Sequence, residues 1–274
     1  MSSIAPASPL DGLNIKVTQA RVVVSEWTKL RTLRSTLWSV FVALLLTIGF
    51  PCLFALVTSS HWGSMSPGER ARRSPLDIAL VGVNISQLAI GVLGVLVITG
   101  EYSTGMIRAT LSATPKRLPM LWAKAGVYGA VTLVLMVPAV LAAFFASQAI
   151  LSRHNILQIS FSDTGVARSV LGGAVYLAIL GILTLGIGAL VRNTAGGIAT
   201  FAGIFFVIPP LMNVLPTSWN NAISPYLPSA AGRDIFSLTH GSHDLAPWPG
   251  LALFAGYTAA TVALAAVLLV RRDA

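Results

Sequence analysis

Six long apolar stretches without Lys, Arg or Glu dominate this 274-residue chain, and they constrain its fold more than any other feature. A bilayer core is about 30 Å thick, and a helix of roughly 20 apolar residues crosses it. The stretches are continuous and do not alternate with a period of two, which favours helices over a β-barrel. The sequence therefore predicts an all-α integral membrane protein whose six transmembrane helices cover about 37–58, 76–99, 125–151, 170–191, 195–215 and 250–270.

The composition is typical of a chain surrounded by lipid. Only 10% of the residues are charged, whereas soluble domains carry roughly a quarter. The net charge of +9 comes from basic residues at the ends of the apolar stretches, where they meet anionic headgroups. The basic residues form no stripe of the kind that binds nucleic acid. Membrane lipids are therefore expected partners, and nucleic acid is not.

The distribution of basic residues predicts the orientation. If the N-terminus is inside, twelve of the 18 Lys and Arg residues lie on the cytoplasmic side and six lie outside. This asymmetry favours both termini in the cytoplasm. The first apolar stretch starts near Leu37, behind a polar leader, and is longer than the apolar region of a signal peptide. We expect it to be a permanent anchor.

The leader divides into two parts. Residues 1–14 are rich in Pro, Ser and Gly and are expected to be disordered. Residues 15–36 are expected to form an amphipathic helix in the inner membrane interface, because apolar residues recur at helical spacing and basic residues occupy the other faces. The alternative is a basic flanking leader. The apolar positions are Val23, Trp27, Leu30 and Leu37.

Two further segments interrupt the regular pattern. Pro209 and Pro210 predict a break in the fifth transmembrane helix; alternatively, this helix stops there and the following residues are re-entrant. The connection 216–249 contains several Pro, Trp and Tyr residues, which is typical of a segment that dips into the outer interface. Small residues recur in several helices, such as Gly91 and Gly94, and favour close helix packing within one bundle or at a subunit interface.

The chain lacks the usual catalytic motifs. It contains no phosphate-binding loop, no H-E-x-x-H and no G-x-S-x-G, so we expect it to be no enzyme and to bind no nucleotide cofactor. His240, His243 and Asp244 form a metal-like cluster, but the sequence places no fourth ligand, and a solvated loop is the favoured interpretation.

Two polar groups could carry function. Asn84, Ser86 and Gln87 lie within the second apolar stretch, where unpaired amides are costly. They predict either hydrogen bonds between helices or the lining of a substrate route. The second group is the insert 100–120, which is expected to form a short cytoplasmic helix between transmembrane helices two and three. That helix would expose Glu101, Tyr102, Thr104 and Arg108 to a partner; the alternative is an interfacial loop with snorkelling basic side chains.

Two segments resemble a known family. The stretch 101–117, with the sequence EYSTGMIRATLSATPKR, resembles the cytoplasmic signature of type-two ABC exporter permeases. The stretch 25–36, SEWTKLRTLRST, is similar to the N-terminal helix of actinobacterial members, and Tyr226-Leu227-Pro228-Ser229 is weakly similar to their outer segment. Met106 departs from the family, which usually has Thr there.

The resemblance implies a permease that pairs with a second permease copy and docks onto two separate ATP-binding cassette subunits, which would bind the ATP and Mg²⁺. It also implies that the coupling region includes Glu101, Tyr102, Thr104, Gly105, Arg108 and Pro115. The expected function is export of a lipophilic substrate across a bacterial cell membrane. The alternatives are a stand-alone channel or carrier, which would ordinarily carry charges inside its spans, a membrane enzyme, and an anchor or sensor that uses the same ATPase.

Overall fold

The computed structural model describes residues 18–103, 117–154, 156, 158–239 and 241–271. This part of the chain is helical and contains no strand. Its helices are α1 (Gln19–Thr32), α2 (Arg34–His61), α3 (Pro67–Ala71), α4 (Pro75–Ser103), α5 (Arg117–Arg153), α6 (Val166–Val191), α7 (Thr194–Ala202), α8 (Ile208–Met212), α9 (Thr217–Ile223), α10 (Pro228–Arg233) and α11 (Pro247–Arg271).

Six helical segments are long and apolar enough to cross a membrane, which confirms a multi-pass membrane protein. They are α2, α4, α5, α6, the segment Thr194–Met212 and α11. Most extend beyond the predicted bounds, and α5 begins eight residues before the predicted position 125. The apolar pattern stops at the first charged residue, whereas backbone hydrogen bonds continue a helix through charged turns.

The predicted interfacial helix 15–36 is divided. Helix α1 ends at Thr32, Leu33 adopts an extended conformation with ψ of 115°, and α2 begins at Arg34. Residues 34–36 therefore belong to the first membrane helix, and residues 15–17 lie outside the described part of the chain. A single extended residue is enough to change the helix direction, because φ and ψ are the soft torsions of the backbone.

Helix α1 buries a face against the bundle that the sequence pattern did not predict. Val22, Glu26 and Leu30 are buried against the bundle, whereas Val23 and Trp27 are 38% and 49% exposed. Side chains four apart lie on one helix face, so the face toward the bundle includes a carboxylate. The sequence pattern identified the outward apolar residues but did not separate them from the face that packs on the protein.

Helix α6 lies at the centre of the bundle and packs against α4, α5 and α11. Close approach of α4 and α6 depends on Gly94: a Cβ at this position would lie 2.2 Å from Thr184 Oγ1 and 2.6 Å from the Gly181 carbonyl oxygen. Several of the predicted small positions thus serve packing within the bundle.

The fifth membrane segment stays helical through the proline pair, and the helix widens just before it instead of breaking. Helix α7 passes into a π-helical turn, Gly203–Val207, directly before α8, which contains Pro209 and Pro210 at its first turn. A proline ring collides with the carbonyl four residues earlier, and the wider turn accommodates it. After α8 the chain forms short helices, and Ile235 and Phe236 return into the core.

Candidate functional site

The predicted coupling residues fall into two groups. Glu101 and Tyr102 lie in the last turn of α4. Thr104, Gly105, Arg108 and Pro115 lie within 104–116, outside the described residues, so the coupling helix itself stays a prediction. The described structure shows what surrounds both ends of that segment.

Glu101 is buried, so the expectation that its side chain is exposed is wrong. Only 6% of the residue is accessible. Its Oε1 accepts hydrogen bonds from Lys29 Nζ at 2.8 Å and Lys124 Nζ at 3.0 Å. Two ammonium groups offset the desolvation of the carboxylate, and this pairing explains why the charged side chain turns inward.

Glu26 completes the arrangement from the buried face of α1. Its Oε1 lies 2.7 Å from Lys29 Nζ, and its Oε2 lies 2.5 Å from Lys124 Nζ. Two carboxylates and two ammonium groups therefore alternate in a closed ring with no net charge. We call Glu26, Lys29, Glu101 and Lys124 the ion network; it holds the ion pairs found in the described part of the chain.

The ion network is largely removed from water. Glu26 and Lys124 are 2% and 3% exposed, whereas the Lys29 side chain retains 26% exposure. Burial lowers the pKa of Lys29, but its hydrogen bonds to Glu101 and Glu26 raise it by more, so the pKa lies above its ordinary value. Charge-assisted hydrogen bonds of this kind are stronger than neutral ones, so the network joins its helices firmly.

The three helices that meet here define the position of the network. Glu26 and Lys29 lie on α1, Glu101 ends α4, and Lys124 lies in the second turn of α5. Helices α4 and α5 are the elements on either side of residues 104–116. The network therefore fastens both flanks of that segment to each other and to α1.

Tyr102 contributes a second linkage at the same end of α4. The Arg192 guanidinium lies 5.5 Å from the centroid of the Tyr102 ring, a cation–π contact. Arg192 has a positive φ of 56° and ends α6, and its Nη2 donates to the Leu268 carbonyl at 3.3 Å. Thr194 Oγ1 donates to Thr99 Oγ1 at 2.9 Å. The end of α4 is thus tied to the α6–α7 turn and to α11.

The three polar residues of α4 are not brought together at one site. Gln87 Oε1 accepts a hydrogen bond of 2.5 Å from the buried Tyr176 hydroxyl on α6, which is the predicted bond between helices. Ser86 is buried and donates to the Val83 carbonyl of its own helix at 3.4 Å. Asn84 is half-buried. For Gln87 the structure thus supports the packing interpretation over a substrate route.

The metal-like cluster gains no support from the residues that are described. His240 lies outside them, and no group of three His, Cys, Asp or Glu side chains that could hold a metal occurs within them. Asp244 is exposed, and its Oδ2 accepts a hydrogen bond from the Gly241 N–H at 2.6 Å. Burial and the nearby Asp244 raise the pKa of Asp234 to about 6.

Sequence reasoning did not single out Glu26, Lys29 or Lys124 as candidate site residues. One signal was available. The chain contains only three Glu and four Lys residues, and four of these seven side chains form the ion network. Charged residues are costly near lipid unless they are paired. The pairing itself needed the tertiary structure, because Lys124 is 98 residues from Glu26.

Comparison with known proteins identifies no relative. No protein-family model matches the chain, and no curated protein matches it significantly.

Proposed function

We propose that this chain is the permease subunit of an ATP-binding cassette exporter in a bacterial cell membrane. It pairs with a second permease copy, carries both termini in the cytoplasm and moves a lipophilic substrate outward. Separate ATPase subunits bind ATP and Mg²⁺ and supply the energy, and the chain itself catalyses no reaction. The observation that carries the proposal is the buried ion network, which joins the two flanks of residues 104–116 to α1.

A permease driven by a separate ATPase needs a receiving segment and a stiff connection from it to the membrane helices. In the proposal, Thr104, Gly105, Arg108 and Pro115 contact the ATPase. Charged and polar groups at such a surface give orientation and specificity more than affinity. Closure of the ATPase on nucleotide displaces residues 104–116, and the displacement passes to α4 and α5.

The ion network gives Glu101 a positioning role in this mechanism. A buried, fully paired set of charges has one favourable arrangement, because moving any one member leaves the others unpaired. Helices α1, α4 and α5 are therefore expected to move together when 104–116 is displaced. The contact between Tyr102 and Arg192 extends the connection to α6 and α11.

The exposed surface of α1 fits a helix lying on the inner membrane surface. Val23 and Trp27 face away from the bundle, and Trp38 and Phe41 continue the exposed apolar surface on the first turns of α2. Aromatic residues are enriched at the level of the headgroups, and nearby Lys and Arg residues attract anionic lipid. This arrangement supports a cytoplasmic location for the end of the bundle that carries the ion network.

The test is a pulldown of the tagged protein from its native membranes in mild detergent, followed by mass spectrometry. We expect recovery of a soluble subunit with a phosphate-binding loop. Scrambling residues 104–116 should abolish that recovery, whereas scrambling residues 62–74, a connection of equal length, should not. Recovery of the folded chain alone would contradict the proposal and favour a stand-alone channel or carrier.

A further inference from the structure

A cavity opens directly beside the ion network. It has a volume of about 430 Å³ and lies between α1, the start of α2 and the last turns of α4. Its walls are mostly apolar and include Leu30, Leu33, Leu93, Leu96 and Val97. One end is polar, because the four members of the ion network line it as well. The cavity is thus apolar along its length and charged at one end.

A second, smaller cavity adjoins the first. It has a volume of about 160 Å³ and shares Leu30, Thr36 and Leu93 with it. Its walls also include Trp27 and Leu37, which are both about half exposed. The two cavities therefore share walls, and a path through both would run from the ion network to the outward apolar surface of α1 and α2. In a membrane, acyl chains surround that surface.

The polar end contains an unused hydrogen-bond acceptor. Oε2 of Glu101 is buried and receives no hydrogen bond from the residues that the structure describes, although Oε1 receives two. A buried acceptor without a donor is unfavourable, and one donor relieves the cost. Glu101 is 94% buried and lines the cavity. Because Oε2 itself has almost no accessible surface, a ligand in the cavity supplies this donor only when the carboxylate shifts toward the cavity.

The charge balance decides which donor fits. The two carboxylates and two ammonium groups of the network already compensate each other. A charged headgroup would bring an uncompensated charge into a site with little water, which is costly. A hydroxyl or amide N–H donates to Oε2 without adding charge. The apolar walls fit a hydrocarbon chain, and the combined volume is within the range of ligand pockets.

We propose that this cavity binds a neutral amphiphile whose headgroup carries a hydroxyl or amide N–H donor. The headgroup donates to Glu101 Oε2, and the hydrocarbon chain lies along Leu93, Leu96 and Val97 toward Leu37. The ligand is a neutral lipid of the surrounding membrane, since the path opens on the surface that faces acyl chains. The binding site does not depend on an ATPase partner, and its test is separate from that of the proposed function.

Gly100 allows the cavity to be filled without a collision. It lines the cavity, and a Cβ added there meets no atom within 4 Å. Gly100→Leu therefore places a side chain in the ligand volume while leaving the ion network in place. Gly126 offers the matched control, since it is an exposed helical glycine on α5 whose added Cβ also meets nothing within 4 Å.

The experiment uses the full chain in phosphatidylcholine nanodiscs and a monoacylglycerol with a photoreactive diazirine in its acyl chain. After illumination, mass spectrometry maps the labelled peptides. We expect saturable labelling within 30–37 and 93–97, reduced about tenfold in Gly100→Leu and unchanged in Gly126→Leu; a tenfold change corresponds to about 1.4 kcal/mol. Equal labelling in all three proteins would overturn the site.

A second comparison tests the headgroup without changing the protein. The same probe with both hydroxyl groups methylated keeps the chain but donates no hydrogen bond, and it should label these peptides about tenfold less because Glu101 Oε2 stays unpaired. Equal labelling by the two probes would contradict the role of Glu101. Native mass spectrometry of protein extracted from its own membrane should show a copurifying neutral lipid. If the protein carries no such lipid and is not labelled by the probe, the proposal is contradicted.

Discussion

Lys124 Nζ lies 2.5 Å from Glu26 Oε2, and both side chains are 3% exposed. The two residues are 98 positions apart in the chain and join α1 to α5. Each side chain also has a second partner in the ion network, since Lys124 pairs with Glu101 and Glu26 pairs with Lys29. This arrangement makes α1 part of the bundle and gives the first prediction.

Breaking the Glu26–Lys124 pair should destabilise the protein strongly. Glu26→Ala leaves Lys124 with one buried partner, and removal of one member of a buried ion pair costs about 3–5 kcal/mol. The measurement is thermal unfolding of the detergent-solubilised protein. The control is Glu69→Ala, because Glu69 is exposed and its carboxylate hydrogen-bonds to Ser66, the N-cap of the small helix α3. Equal midpoints for the two variants would refute a structural role for the pair.

The double variant Glu26→Leu with Lys124→Met should recover most of the loss. Replacing a buried ion pair by apolar side chains of similar volume is often neutral or stabilising. In this variant Lys29 and Glu101 still pair with each other at 2.8 Å. If Glu26→Ala is strongly destabilised and the double variant does not regain stability, α1 requires all four members of the ion network.

The contribution of Lys29 should disappear at high pH. The pKa of Lys29 is raised above its ordinary value of 10.5, so its stabilising contribution is fully present below that pH and is lost as the pH rises through the folded pKa. The midpoint difference between wild type and Lys29→Met should therefore be constant from pH 7 to about 9.5 and shrink above about 10.5. A difference that stays constant above pH 11 would contradict this linkage.

Asp234 should destabilise the protein as it ionises. Burial and Asp244 raise the pKa of Asp234 to about 6 from an ordinary 3.8. The protonated acid therefore contributes its whole stabilisation below about pH 4, and this contribution is lost as the pH rises through 6. Asp234→Asn should match wild type near pH 4 and exceed it in melting temperature at pH 7.5. Asp244→Asn should move the transition to lower pH, because it removes a neighbouring negative charge; an unmoved transition would contradict this cause.

Gln87 and Tyr176 should be coupled in stability. Their hydrogen bond joins α4 to α6 within the core, and bonds between membrane helices contribute about 0.6 kcal/mol on average. A double-mutant cycle of Gln87→Leu and Tyr176→Phe should give a coupling of about 1 kcal/mol. The control is Leu88→Ala, which is exposed on the same helix. Altered transport in Gln87→Leu with unaltered stability would instead favour a substrate route.

Glu101 provides the functional prediction. In a reconstituted complex of permease and ATPase, Glu101→Gln should retain ATP hydrolysis and lose most of the transport, because the neutral side chain no longer holds Lys29 and Lys124 between α1 and the flanks of 104–116. The measurements are substrate accumulation in inverted vesicles and phosphate release. Glu69→Gln is the matched control, because Glu69 is exposed on the short helix α3. Wild-type transport in Glu101→Gln would refute the positioning role.

Much of the fold could be predicted because its signals are local. Each apolar stretch carries enough hydrophobic residues for one membrane crossing, and Pro209 and Pro210 disturb the helix in which they occur. Six candidate spans are present, and a π-helical turn lies directly before the proline pair. The predicted helix bounds were less accurate. Helix α4 continues past the end of its apolar stretch to include Glu101, and α5 starts before its apolar stretch and includes Lys124.

The site shows where local signals end. The sequence identified Glu101 as a candidate site residue but predicted an exposed side chain, because burying an unpaired carboxylate is costly. Only the tertiary structure brings Glu26, Lys29 and Lys124 close to Glu101. These ion pairs offset the desolvation of the buried carboxylate, and they form where α1, α4 and α5 meet. The sequence by itself determined which segments enter the membrane, since transfer of an apolar helix into lipid depends on its own residues. Tertiary structure decided which charges are buried, since that depends on partners from distant parts of the chain.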